Sequence, residues 1–227
     1  VISGRSQIKK AQFNAVMQEF IVHREMVELF RTQYDYYPGD FPRAHSVWGD
    51  DCANSADDCN GDGNGIIDYD RNSKDDVEAF RAWQHMSLAG IAANDLPGIA
   101  NANGEADYDF NVPNSTSIEA GWTFDIGTYI DNNDSDFGKQ VLRLGGFRSG
   151  RNLLGGFWSS IDAFLFNEKF DNGVANTGGV THYCYDSFEI DGCYNGVIEY
   201  DLADSDLVCF LEFSIRNDIP LDDSPCD

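Results

Sequence analysis

Residues 2–34, ISGRSQIKKAQFNAVMQEFIVHREMVELFRTQY, decide the fold. Ile8, Phe13, Val16, Met17, Phe20, Ile21, Val27 and Phe30 recur in steps of about three and four, which keeps one apolar stripe on one face of a helix. No proline interrupts the run, and its only glycine, Gly4, stands at the start. At about 1.5 Å per residue such a helix is roughly 45–50 Å long, against about three turns for an ordinary helix. The spacing predicts a helical stalk whose C-terminal half packs on a globular head. The run stops at Tyr36-Tyr37-Pro38-Gly39-Asp40-Phe41-Pro42, so the chain divides into an amphipathic helix over 1–36 and a head over 37–227.

Working outward, Arg43 to Asp70 reads as a loop with two cysteines and a dense run of acids. A second helix follows, capped at Asn72 or Ser73, buried through Val77, Phe80, Trp83 and Leu88, and ending near Gly90 to Asn94. Residues 99–117 are loop-like, and 131–136 form a turn. Strands are predicted over 122–130, 140–147, 179–184 and 208–215, with a short helix from Ser159 to about Phe170. The order gives an α+β fold, with a long N-terminal helix packed on an antiparallel sheet.

The 227 residues carry 15 Lys and Arg against 39 Asp and Glu, a net charge of −24 that repels nucleic acid phosphates and anionic membranes. Nucleic acid is therefore not an expected partner. The six cysteines, Cys52, Cys59, Cys184, Cys193, Cys209 and Cys226, point to disulfides and export. Proximity favours Cys52–Cys59, Cys184–Cys193 and Cys209–Cys226. No stretch approaches the ~20 apolar residues a bilayer span needs, and no signal peptide is visible. An exported chain that begins mid-helix implies a leading segment before Val1.

The most chemically loaded stretch is Asp57-Asp58-Cys59-Asn60-Gly61-Asp62-Gly63-Asn64-Gly65-Ile66-Ile67-Asp68-Tyr69-Asp70. Oxygen donors at alternating positions, with glycines for tight turning, suit a hard cation such as Ca²⁺. Asp58, Asn60, Asp62 and Asn64 take the first positions. An EF-hand would place its bidentate acid where Tyr69 stands, so Asp68 or Asp70 closes the candidate set instead. The competing reading is a solvated turn pinned by Cys52–Cys59. Residues 64–70 are echoed at 195–201, and 131–136 is a weaker third acidic loop.

No G-x-S-x-G, H-E-x-x-H, P-loop or complete G-x-G-x-x-G motif is present, so neither a catalytic site nor a small-molecule substrate is expected. His85, beside Trp83 in a helix, reads as a packed histidine. Two other readings stay open: a secreted adhesin or glycan-binding module using Trp122 or Trp158 as platforms, and an acidic hydrolase using His85 or His182.

The segments 33–44 (QYDYYPGDFPRA), Trp48-Gly49, 59–66 (CNGDGNGI) and above all 78–90 (EAFRAWQHMSLAG) resemble type IV pilin-like proteins and type II secretion pseudopilins. Asn111-Val112-Pro113, Gly121-Trp122 and 162–180 fit the same pattern. The resemblance implies a structural subunit of a pilus or pseudopilus filament. An apolar helix half N-terminal to Val1 would anchor it in the inner membrane of a bacterial envelope, with its head in the periplasm or on the filament. It implies contacts with other pilin-like subunits through the helix, and calcium in the heads of several relatives. On this reading the stripe Phe13, Val16, Phe20, Val27 and Phe30 divides between the head and neighbouring subunits.

Overall fold

The structure, a computed structural model, describes residues 4–69, 77–93, 95–108, 110–126, 140–149, 152–174, 178–185 and 208–215. The first element, α1, runs from Gly4 to Tyr34 over 31 residues. It ends where Asp35 takes a left-handed conformation, φ 62°, and donates its N–H to the Arg31 carbonyl. Four short or medium helical elements follow: α2 (Ala44–Trp48), a 3₁₀ turn (Gly49–Asp51), α3 (Ala56–Cys59) and α4 (Glu78–Leu88). The segment read as loop thus contains short helical turns. The expected caps of α4, Asn72 and Ser73, lie outside the described residues, and the helix begins only after Val77.

Five strands form one antiparallel sheet: β1 (Gly121–Ile126), β2 (Gln140–Gly145), β3 (Trp158–Ser159), β4 (Val180–Tyr185) and β5 (Val208–Ser214). β5 is central. It pairs with β4 along one edge and with β2 and then β3 along the other, and β1 lies outside β2. Helix α5 (Ser160–Phe170) follows β3, and its Asp162 N–H is capped by the Ser159 hydroxyl. The predicted strands at 122–130 and 140–147 are recovered in shorter form, as far as the described residues extend. β3 has only two residues, too few for an alternating pattern to register.

Register sorts the sheet into two faces. Trp122 and Phe124 of β1, Leu142 and Leu144 of β2, and Leu211 and Phe213 of β5 align on the side that receives α1. Phe20 stacks on Phe213 at 4.6 Å, and Phe13 meets Trp158 at 4.9 Å and Phe166 at 5.6 Å. Glu19 accepts the Trp122 Nε1–H at 2.9 Å and the Thr116 N–H at 2.8 Å, which fixes the helix on the sheet. The opposite side carries Arg143, buried between Glu212 and Asp125.

One expectation for α1 is corrected. Phe13, Val16, Phe20, Val27 and Phe30 are all buried in the chain's own core, so this stripe is not shared with neighbours. Ile8, read as part of it, is 63% exposed. With Val22 at 45% and Leu29 at 54%, it forms a separate apolar row on the outer flank. The spacing of 14 and 7 residues keeps the three nearly in line. No helix among the described residues is long and apolar enough to cross a membrane.

Candidate functional site

Three segments meet beside the end of α1. The turn at 36–42 reverses the chain through Gly39, φ 85°, where a side chain would meet the Glu78 carbonyl oxygen at 2.4 Å. The loop at 60–68 crosses this turn at Gly61, whose N–H donates to the Phe41 carbonyl at 3.1 Å. The first turn of α4 closes the third side. Helix α4 is buried from Glu78 to Met86 and not along one stripe alone. Trp83 packs against Phe124 of β1 on one side and His23 of α1 on another.

The disulfide Cys52–Cys59 is formed as the spacing predicts. Gln84 donates to the Cys52 carbonyl at 2.8 Å and the Pro97 carbonyl at 3.1 Å. His85 is fully buried. Its Nδ1 accepts the Gly39 N–H at 3.0 Å, so the proton is on Nε2, which donates to the Cys59 carbonyl at 2.9 Å. Burial holds its pKa down near 4, against the opposing pull of the Cys59 carbonyl. His85 is therefore a neutral stitch between the turn, the disulfide loop and α4, and neither ring nitrogen is left to act as a base. Cys209 also belongs to a disulfide, while Cys193 and Cys226 lie outside the described residues.

At the junction Asp40, Asp62 and Glu78 each bring a carboxylate oxygen within 4.8 Å of the others. Asp40 is 0% and Glu78 3% exposed, while Asp62 is open to solvent. Glu78 Oε1 accepts the Asp62 N–H at 2.9 Å, and Asp40 Oδ2 accepts the Gly65 N–H at 2.9 Å. Burial pushes the Glu78 carboxyl up to about 8, with the Asp62 N–H opposing and the Asp40, Asp68 and Asp62 charges adding. Burial likewise raises Asp40 to about 6, against the Gly65 and Gly63 N–H groups.

The six residues read as a cation set are distributed unevenly. Asp62 stands in the cluster, and Asp68 lies near enough to act on Glu78. Asn64 shapes the loop by donating to Asp62 Oδ2 at 2.9 Å and accepting the Ile66 N–H at 2.8 Å. Asp58 accepts the Ser55 hydroxyl at 2.7 Å at the start of α3, and Asn60 Oδ1 accepts the His45 N–H at 2.9 Å. Asp70 and the echo at 195–201 lie outside the described residues.

Sequence reasoning passed over Asp40 and Glu78. Their signals were present: an acid directly after Pro38-Gly39, and the one acid in the run 77–83 (VEAFRAW), which is apolar but for Glu78 and Arg81.

Trp122 is 0% and Trp158 3% exposed, so neither is a platform for a glycan ring. A shallow cleft of about 470 Å³ beside Tyr108, Phe147 and Trp158 has its Lys9 tied to Asp162 and its Gln12 tied to the Ser117 carbonyl. His182 is buried, with Nδ1 3.5 Å from the Asn167 amide. Compared with protein-family models, curated proteins and solved structures, the chain gives no match to any of them.

Proposed function

We propose that this chain is the head and lower stem of a pilin-like filament subunit, of the type IV pilus or type II secretion pseudopilus kind. Its role is assembly and not catalysis. The observation that carries this reading is the division of labour on α1. One stripe is consumed by the chain's own sheet, and a second row, Ile8, Val22 and Leu29, remains outside along a helix about 46 Å long. Exposed apolar side chains aligned along one flank of a long helix suit a subunit packed side by side with copies of itself.

On this reading the head lies in the periplasm or on the filament of a bacterial envelope, and a preceding apolar segment supplies the membrane anchor. The −24 charge suits a head that stays soluble among many copies. The Cys52–Cys59 bridge fits an oxidising compartment. The segments 33–44 and 78–90, which carry the resemblance, form the turn and helix of the junction at the end of α1.

Mechanical shearing of the producing cells tests the proposal. The sheared fraction should contain thin filaments that an antibody to this chain decorates along their length. Recovery of the chain only as a freely diffusing monomer would sink it.

A further inference from the structure

The acidic junction asks for a positive charge that no described residue supplies. We propose that Asp40, Asp62 and Glu78 form a binding site for a single Ca²⁺ ion, built from three separate segments and not from the 58–70 loop alone. The inference is independent of the filament reading.

Distance is the first argument. Two oxygens on opposite sides of one Ca²⁺ lie at most about 4.6–5.2 Å apart, twice the usual 2.3–2.6 Å bond. The three carboxylate oxygens all fall within 4.8 Å of one another, so a centrally placed ion lies at or close to bonding distance from all three. Three carboxylates supply up to six oxygens, and this donor set is hard, which favours Ca²⁺ over zinc or copper.

Asp40 is wholly buried, and while Oδ2 takes the Gly65 N–H, no hydrogen bond of normal geometry among the described residues reaches Oδ1, with only the Gly63 N–H and the Asp62 carboxylate close by to act on the group. A buried carboxylate oxygen left without a partner is costly, and native structures seldom tolerate one.

There is also a contrast within the chain. On the far side of the sheet, Arg143 sits between the buried Glu212 and the half-buried Asp125. No Lys or Arg of the described residues forms an ion pair with Asp40, Asp62 or Glu78. The Arg81 guanidinium, one turn along α4 from Glu78, donates to the Asn60 carbonyl at 2.7 Å and the Asp57 carbonyl at 3.0 Å. Among the described residues, one acidic group thus has an internal cation and the other has none.

The site also has a built frame. Glu78 holds the loop through the Asp62 N–H, Asp40 holds it through the Gly65 N–H, and Gly63 and Gly65 take positive φ values of 77° and 88° to make this possible. An ion here ties the end of α1 to the start of α4 across the loop.

The test is calorimetric titration of the chelator-treated chain with CaCl₂. The expected result is saturable binding of one ion per chain. Asp40→Asn and Glu78→Gln should each weaken it by at least about tenfold, and Asp58→Asn should leave it within about twofold, because Asp58 serves Ser55 instead. Circular dichroism checks that each variant is folded. Should Asp40→Asn not fold, Asp62→Asn at the exposed ligand decides in its place. Absence of saturable binding to the unmodified chain up to millimolar Ca²⁺, the weak end of protein calcium sites, would overturn the proposal. So would a folded Asp40→Asn or Glu78→Gln chain that binds as tightly as the original. Equal affinity for Mg²⁺ would overturn the assignment to calcium.

Discussion

Gly61 lies against Gly39 so closely that a β-carbon on Gly61 would stand 2.2 Å from the Gly39 carbonyl oxygen and 2.4 Å from the Asp40 Cα. The three nearest atoms are all backbone, so the clash cannot be relieved by a side chain swinging aside. Gly61→Ala must push the loop off the turn. The expected loss is roughly 2–3 kcal/mol, the scale of overpacking in a tight core. Gly65→Ala is the useful comparison. Its β-carbon meets nothing within 4 Å, and only its φ of 88° opposes the change, so about 1 kcal/mol is expected. Chemical denaturation of the two variants side by side separates crowding from backbone strain.

Arg143 and Glu212 are paired across β2 and β5, and both are almost wholly buried. The guanidinium Nε–H donates to Glu212 Oε1 at 2.8 Å, and Nη1 meets Asp125. The two carboxylates hold the arginine charged well above its ordinary range despite burial. Arg143→Met keeps the bulk but leaves Glu212 buried without its counter-charge. A loss of about 3–5 kcal/mol is expected, as for other broken buried pairs. Replacing Arg143 and Glu212 together by apolar residues should cost much less, and a double-mutant cycle measures the difference.

His23 and His85 predict a loss of stability in mild acid. Burial lowers both to about 4 from an ordinary 6.5. The unfolded chain therefore binds their protons first, and stability falls as pH drops from about 6.5 towards 4. His23 packs edge-on against Trp83 at 5.1 Å and Trp122 at 5.4 Å, with its Nδ1 buried and unpartnered and Glu19 the charge acting on it. His23→Phe removes one of the two titrations without removing a ring-nitrogen bond at Nδ1. Stability at pH 7 should change by no more than about 1 kcal/mol, and the acid-side loss should shrink markedly. Asp40 and Glu78, whose carboxyls are raised, act in the opposite sense by favouring the folded state as pH falls. The difference between His23→Phe and the original chain, measured by thermal melts from pH 7 to pH 4.5, cancels their share.

Much of the architecture was legible because it is periodic. The three-and-four spacing from Phe13 to Phe30 placed α1, and the β-prone run Val208–Ser214 placed the central strand. The Cys52–Cys59 bridge was legible because seven residues leave little choice of partner. The rest was not, for reasons of geometry. Periodicity marks Val77, Phe80 and Trp83 as buried, but it cannot say that α4 is surrounded by α1, β1 and the disulfide loop, which buries Arg81 and His85 as well. The acidic junction was half legible. Alternation exposed Asp62 and Asn64, whereas Asp40 and Glu78 arrive from 22 residues before and 16 residues after Asp62 through contacts made only in the folded chain. The same blindness affected α1, where an apolar stripe in the sequence does not reveal which of two rows the head consumes.

The most direct measurement concerns that second row. Single cysteines placed at Ile8, Val22 and Leu29 on the outer flank, and at Phe20 on the buried face as a control, are cross-linked in the producing cells. Ladders of covalent multimers from the outer positions, with none from Phe20→Cys, are the predicted result. Monomer alone from Ile8→Cys, Val22→Cys and Leu29→Cys, in cells that make the folded chain, would contradict assembly through α1.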